Sequence, residues 1–469
     1  MWARLKDRII QLKTTSKLRT KRRKHQGEQL RMARRHINLL EAENAALHAR
    51  LGPTKVAQHR YPAELIALAV FIVVQAGGSL RCAASTVAFV SNLLGWSYGR
   101  PSPTTVRDWV LRCGYQAILD TRQLAGHYAV IIDESIQIGK EKLLLMLGVR
   151  LSDQFCYCAP LTGREVEVLG LEVQASWTGV AIEEFIHRNL AERPAVKAAY
   201  FISDCGSSIL CALRSLDVDW VSDCTHVMMN LVKNLFSKDA ALSKLSAQLG
   251  QLRRQLTLAE WNGLLPATLR DKDRFLRLFT IVEWAQRMDA YWAKLPPAAR
   301  RHVAFYRRAG GLLRRLTQVR DLVRLAAGIL KTAGLSKHSQ ERWRQVTDTY
   351  RSNQQVLTHQ ARRFIKGMDA YFADHAALWD DHQQLLCCSD IVESTFGRYK
   401  NKGGMKAISA DVLAIPLYNR EMSVDFVKAA LEKVSGQTVL EWQTQYVCHN
   451  RYGVRKRMDA ELKSGGTDG

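Results

Sequence analysis

The chain has 469 residues, 68 lysines and arginines against 44 aspartates and glutamates, and a formal net charge of +24 with a pI near 9.8. That length accommodates about two to four domains, and the charge exceeds what solubility needs, so it gathers polyanions and makes nucleic acid the first partner to expect. An anionic membrane surface is the alternative, but no uninterrupted apolar run approaches the roughly 20 residues of a membrane helix.

The opening Met1-Trp2-Ala3-Arg4-Leu5-Lys6 lacks the apolar stretch of a secretory signal, so a cytosolic, nucleoid-associated protein is expected. Residues 1–52 read as a basic helical arm, proline-free, with Leu30, Ile37, Leu40, Ala45 and Leu47 at helical spacing. Its positive block Lys21-Arg22-Arg23-Lys24 is a candidate DNA grip, and Leu39 to Asn44 has coiled-coil character over about two heptads. A plain solvated arm is the simpler reading; the functional one is an arm that grips DNA and helps dimerise.

Gly52-Pro53 breaks that helix, and 53–120 reads as a compact unit with helices over Pro62 to Ala76, Leu80 to Leu94 and Pro103 to Cys113. Ser102 is a good N-cap, Pro103 suits the first helical position, and Gly114 suits the end. A short capped helix after two apolar ones is the outline of a helix-turn-helix DNA-binding domain, in which Arg107 is the expected base reader. Such trios also occur in domains that bind nothing, so the positive charge carries the DNA assignment.

From 121 to 236 the pattern changes. Tyr128 to Asp133, Lys142 to Leu151 and Glu165 to Trp177 read as strands, Ile182 to Leu190 as a helix, and Ala199 to Asp204 as a fourth strand. Then come a helix from Ser207 to Leu216, a strand from Asp219 to Asp223 and a helix from Thr225 to Phe236. The expected fold is α/β, with three antiparallel strands extended by two parallel ones in one mixed sheet. Strands ending in Asp133 and Asp204 would bring two carboxylates together; two such charges repel, and a bound cation is the usual resolution. Each aspartate taken alone can equally end a strand or cap the next helix.

This order, with aspartates on the first and fourth strands, resembles the ribonuclease-H-like fold of the transposase and integrase superfamily over about 110 residues. In that family a third acid lies on a later helix, often after a helical insertion. Ser389-Asp390-Ile391-Val392-Glu393 supplies it here, with Glu393 as the match and Asp390 as a possible capping-box partner. The interval from Glu393 to Lys400 is similar to the glutamate-x6-lysine spacing of many insertion-sequence transposases, with Ser389 standing where those carry an arginine. Asp223-Cys224-Thr225-His226 resembles the Cys-or-Asp-x-x-His motif that follows the second acid in cut-and-paste groups. Asn230 and Lys233 follow His226 at four and seven residues, so the three can share a polar face toward DNA.

The resemblance implies a DDE transposase that uses Asp133, Asp204 and Glu393 to hold two Mg²⁺ or Mn²⁺ ions, with His226 near the scissile phosphate. It also implies double-stranded DNA as partner, at the transposon ends and the target, and a homodimer or larger synaptic complex. A structure-selective nuclease on the same fold and a non-catalytic, transposase-derived repressor are the other readings.

Residues 237–385 read as an all-helical insertion, 386–404 as the last part of the core, and 405–469 as a helical C-terminal region. Trp261, Trp284, Trp292, Trp343 and Trp379 lie among basic runs of the insertion and are expected to serve its core more than to stack on bases. The ten cysteines contain no Cys-x-x-Cys pair; Cys156-x-Cys158 and Cys224-x-His226 lack a partner pair at zinc spacing. Reduced thiols, several of them buried, are expected.

Overall fold

The computed structural model describes residues 8, 11, 13–17, 27–43, 53–136, 141–151, 161–258, 260–266, 274–353, 356–379, 384–401 and 408–447. Residues 27–43 form α1, exposed almost throughout. Next come α2 (Ala63–Val74), α3 (Leu80–Leu93) and α4 (Pro103–Asp120). Ser79 and Ser102 start the last two by accepting from the backbone N–H of Cys82 and Thr105, donors that a helix start otherwise leaves free.

α4 does not stop at Gly114 as the sequence predicted; it runs on to Asp120. A Cβ at Gly114 would overlap the Leu413 carbonyl oxygen, so this glycine permits close helix packing against the 3-10 helix Ala410–Leu417. With α2 and α3 also packed on it, α4 buries Val106, Trp109, Val110, Leu111, Cys113 and Ala117. It is a central strut of its region, with only Thr104 of its first turn exposed.

The sheet consists of β1 (Gly126–Ile136), β2 (Lys142–Arg150), β3 (Val166–Gln174), β4 (Val196–Ser203) and β5 (Trp220–Ser222), in the order β3-β2-β1-β4-β5. β1, β2 and β3 pair antiparallel, while β4 joins β1 and β5 joins β4 in parallel. The parallel pairs need crossovers, supplied by α5 (Gly179–Ala191) and α6 (Ser207–Ser215). Both sheet faces are covered, which is why Val130-Ile131-Ile132 and Leu143 to Leu147 are unbroken apolar runs. Tyr128, Val130, Ile132, Met146 and Phe201 pack toward Phe185, Ile186 and Leu213 of α5 and α6. Ala129, Ile131, Leu145, Ile202 and Val221 belong to the core on the other face. The fold is therefore mixed α/β, as expected.

β1 also extends further than expected. Asp133 lies inside it, opposite Leu145, and the strand continues to Ile136 because the β1–β2 pairing continues. Glu134 points away from Asp133 in the strand alternation and pairs with Lys142 across the hairpin at 2.5 Å, a structural role.

α7 (Cys224–Phe236) leads into the helices α8 (Ala240–Leu256), α9 (Arg274–Tyr291), α10 (Pro297–Val303), α11 (Gly310–Ala333), α12 (Lys337–Asn353) and α13 (His359–Asp374). α7 packs against α9, α11 and α13, so the insertion is built onto the helix that leaves the sheet. Trp284 and Trp343 are buried, their indole N–H groups donating to Leu264 O at 2.8 Å and Asp369 Oδ1 at 2.9 Å, which makes them core residues. Trp292 is half-buried, with the Arg300 and Arg307 guanidinium groups over its ring. The chain returns through a two-way backbone pairing of Leu335 with Leu385 to α14 (Asp390–Asn401), then α15 (Val424–Lys433) and α16 (Gly436–Tyr446). Among the described residues no helix is long and apolar enough to cross a membrane.

Candidate active site

Asp133 and Asp204 reach one place because β1 and β4 are neighbours. Ile131 stands opposite Ile202, so two residues further on Asp133 and Asp204 are level, and the strand period sets both toward the face of those isoleucines. Asp204 lies just past the end of β4, in a turn where Cys205 takes φ +62°. That left-handed conformation costs a residue bearing a Cβ roughly 1–2 kcal/mol, a strain placed beside a candidate acid. Asp204 Oδ1 accepts from the Gly206 N–H at 2.8 Å, so it also serves the turn into α6.

Asp133 is only 8% exposed, and its Oδ1 accepts from the Glu134 N–H at 2.7 Å. Burial first, then the charge of Asp204, pushes its carboxyl up to about 7; Glu393 adds to this, while the Glu134 N–H and His226 oppose it. An acid so placed is short of positive charge.

The remaining groups come from the starts of two helices that one carboxylate ties together. Asp223 is the N-cap of α7: its Oδ1 accepts from the His226 N–H at 2.7 Å, while Oδ2 accepts from the Ser389 N–H at 2.5 Å, one residue before α14. The Cys224 N–H also donates to the Cys387 carbonyl at 2.8 Å. Glu393, in the first turn of α14, thereby stands beside His226, with Oε1 3.2 Å from Nε2. That bond raises the His226 imidazole to about 9 against the opposing effect of burial, with help from the charges of Asp223, Asp204 and Glu393. At neutral pH the ring is an imidazolium among carboxylates.

The capping box that the sequence offered for Asp390 and Glu393 gives way to other partners: Asp390 is the first residue of α14, and both of its carboxylate oxygens are engaged on other elements. Its Oδ1 accepts from the Thr225 hydroxyl at 3.0 Å and its Oδ2 is paired with Lys331 of α11. Burial pushes this carboxyl up, but the bonds from Lys331 and Thr225 outweigh it and hold the group below its ordinary value. Lys331 carries no local sequence signal for this role, because its partner lies 59 residues away.

Asn230 and Lys233 are exposed on α7, one and two turns beyond His226. Lys400 is exposed on α14, two turns beyond Glu393, with its ammonium 5.8 Å from the Phe396 ring. Arg107 is half-exposed and engaged elsewhere, its Nε donating to Asp411 Oδ1 at 2.7 Å. A base contact from it requires that pair to open. Lys21, Arg22, Arg23 and Lys24 lie outside the described residues.

The oxygen donors Asp133, Asp204 and Glu393 have the chemistry that Mg²⁺ and Mn²⁺ take, and the elevated Asp133 carboxyl marks a place where a cation relieves repulsion. As placed, no three histidine, cysteine, aspartate or glutamate side chains among the described residues converge at ligand distance. Glu393 is bonded to His226 instead. No protein-family model matches the chain, and no curated protein matches its sequence.

Proposed function

We propose that the chain is a DNA transposase of the DDE class, cutting at transposon ends and joining the freed end to target DNA. One observation carries the reading: Asp133 and Asp204 stand level on adjacent parallel strands, and α14 brings Glu393 to their edge beside His226. The strand order β3-β2-β1-β4-β5, antiparallel then parallel, supports a ribonuclease-H-like core for this site.

In this reading Asp133, Asp204 and Glu393 hold Mg²⁺ or Mn²⁺, two ions per site. When bound, such ions activate the attacking oxygen and stabilise the leaving one. His226 presents a charged N–H where a phosphate would lie, and Asn230, Lys233 and Lys400 continue that edge along two helices as contacts to the DNA backbone. Arg107 of α4, once its pair with Asp411 opens, and the Lys21–Lys24 block are further DNA contacts. Two ends have to be processed together, so the working form is a homodimer or larger assembly on double-stranded DNA.

The test is a cleavage and strand-transfer assay with Mg²⁺ or Mn²⁺, using DNA from the element ends that flank the gene, on wild type and Asp204→Asn. Metal-dependent joining that is lost in the variant while DNA binding persists supports the reading. Cutting without joining identifies a nuclease, and binding without chemistry in either protein identifies a repressor; each of these sinks the transposase.

A further inference from the structure

Ser135 follows Asp133 by two residues on β1, so both side chains rise from the same face of the sheet. Ser135 is 4% exposed, and its hydroxyl, shut off from solvent, has no hydrogen-bond partner among the described residues. A buried polar group left unpaired costs stability, so a native chain rarely keeps one unless a water, an ion or a chemical task claims it. Ser91 shows the ordinary arrangement: likewise buried, its hydroxyl donates to Trp96 O at 2.7 Å and accepts from the Tyr98 N–H at 3.1 Å.

The sheet restricts what can claim this hydroxyl. Across the hairpin Ser135 stands opposite Leu143, and Asp133 opposite Leu145, both apolar. On the other side β4 has ended at Ser203, and beyond Asp204 the chain turns away at Cys205 into α6. Within the sheet, the polar neighbours of Ser135 on this face are therefore Asp133 and, diagonally, Asp204. Same-face neighbours along a strand have Cα atoms about 7 Å apart. Ser135 and Asp133 do not bond directly, since Asp133 Oδ1 takes the Glu134 N–H at 2.7 Å and the Ser135 hydroxyl is unpaired. That separation suits one small bridging group.

We propose that Ser135 is a positioning residue of the candidate active site, its hydroxyl oxygen accepting from a water in the shell of a divalent cation held by Asp133 and Asp204. The inference rests on the metal-binding reading of those two acids. Mg²⁺ gives up its waters reluctantly and is usually held by only one or two carboxylates, so its remaining waters need acceptors. Beside Asp133 those acceptors are carboxylates, which repel one another, and this hydroxyl, which accepts without adding charge. Ser135 thereby fixes where the cation sits along β1, while the metal-free fold gains nothing from it.

The test titrates Mn²⁺ into the full chain without DNA, by calorimetry, and measures thermal midpoints in a chelator. Ser135→Ala is expected to weaken Mn²⁺ binding about tenfold, the lower end of what partners in the second shell of a metal contribute. Its midpoint in chelator should equal or exceed that of wild type, because the hydroxyl removed was unpaired. Ser91→Ala should do the reverse, lowering the midpoint and leaving Mn²⁺ affinity unchanged. Water proton relaxation should count as many waters on Mn²⁺ in Ser135→Ala as in wild type. A count higher by one shows the hydroxyl ligating the metal itself, an unchanged affinity shows an ordinary buried group, and a lowered midpoint in chelator shows a structural bond; each overturns the proposal. So does a wild type that binds no Mn²⁺ without DNA. The two readings fail separately: strand transfer that Asp204→Asn abolishes keeps the transposase even when Ser135→Ala is silent, and wild type without strand transfer sinks the transposase even when Ser135→Ala loses Mn²⁺.

Discussion

His226 Nε2 lies 3.2 Å from Glu393 Oε1, joining the first turn of α7 to the first turn of α14 across 167 residues of sequence. The imidazolium supplies the positive charge that the carboxylates around it lack. It therefore competes with any other cation for Glu393, and it also offers an N–H to an arriving phosphate. His226→Gln keeps a hydrogen-bond donor and removes the charge. Mn²⁺ binding, followed by calorimetry on DNA-free protein, is expected to tighten several-fold, while strand transfer falls about 100-fold, the range lost with a positioned acid–base group. A variant that binds Mn²⁺ less tightly than wild type contradicts this account of the pair.

The same two groups set a pH dependence. Asp133 is raised from its ordinary 3.8 to about 7, so between those values the folded protein keeps a proton the unfolded chain has released, and stability falls as pH rises through that window. His226 is raised from 6.5 to about 9; its contribution is complete below 6.5 and is lost as pH climbs through 9. Both slopes have the same sign. Thermal midpoints of wild type in a chelator should decline from pH 4 to pH 9. Asp133→Asn should flatten the lower half of that decline and His226→Gln the upper half. A profile for Asp133→Asn that parallels wild type below pH 7 contradicts the buried, charge-starved carboxyl.

Asp390 reaches three elements at once, since it begins α14, accepts from Thr225 of α7 and pairs with Lys331 of α11. The ion pair is partly exposed, so its loss should cost about 1 kcal/mol of stability or less. Its effect on Glu393 should be larger, because the first turn of α14 loses its tie to the insertion. Asp390→Asn and Lys331→Met are each expected to lower strand transfer about tenfold with nearly unchanged melting temperature, and the double variant to lose no more than either alone. Additive losses in the double variant would show the two side chains acting separately.

Much of this site was legible because strands buried on both faces read as apolar runs, and β1, β2 and β4 are such runs. The acids at Asp133 and Asp204 stand out against them. The Asp223 to His226 segment was picked out by its resemblance to a motif, while the cap that Asp223 makes for α7 emerged only from the structure. Lys331 with Asp390, and Asp223 with Ser389, were not legible, because those partners meet only after the insertion has folded back. Arg193 is a further case: fully buried, it donates to the Thr121 hydroxyl and the Asn189 carbonyl, a role that only the packed β4 entry creates. Arg107 read as a surface cation, yet its partner Asp411 lies in the C-terminal region.

Gly114 defied its local context for a similar reason, since a glycine near a capped helix looks like its end, whereas here it admits a distant backbone. A Cβ there would overlap Leu413 O and crowd the Leu413 side chain, and backbone cannot step aside as a flexible side chain can. Gly328 in α11 provides the contrast, because nothing lies within 4 Å of where its Cβ would be. Alanine favours a helix interior over glycine by about 1 kcal/mol, so Gly328→Ala should raise stability by up to that amount. At Gly114 the same gain meets an overpacking cost of about 1–3 kcal/mol against a rigid neighbour, and the overpacking outweighs the gain. Urea unfolding should therefore show Gly114→Ala less stable than wild type and Gly328→Ala more stable. If Gly114→Ala proves equal to wild type or better, α4 does not lie against Ala410–Leu417 as closely as its buried face requires.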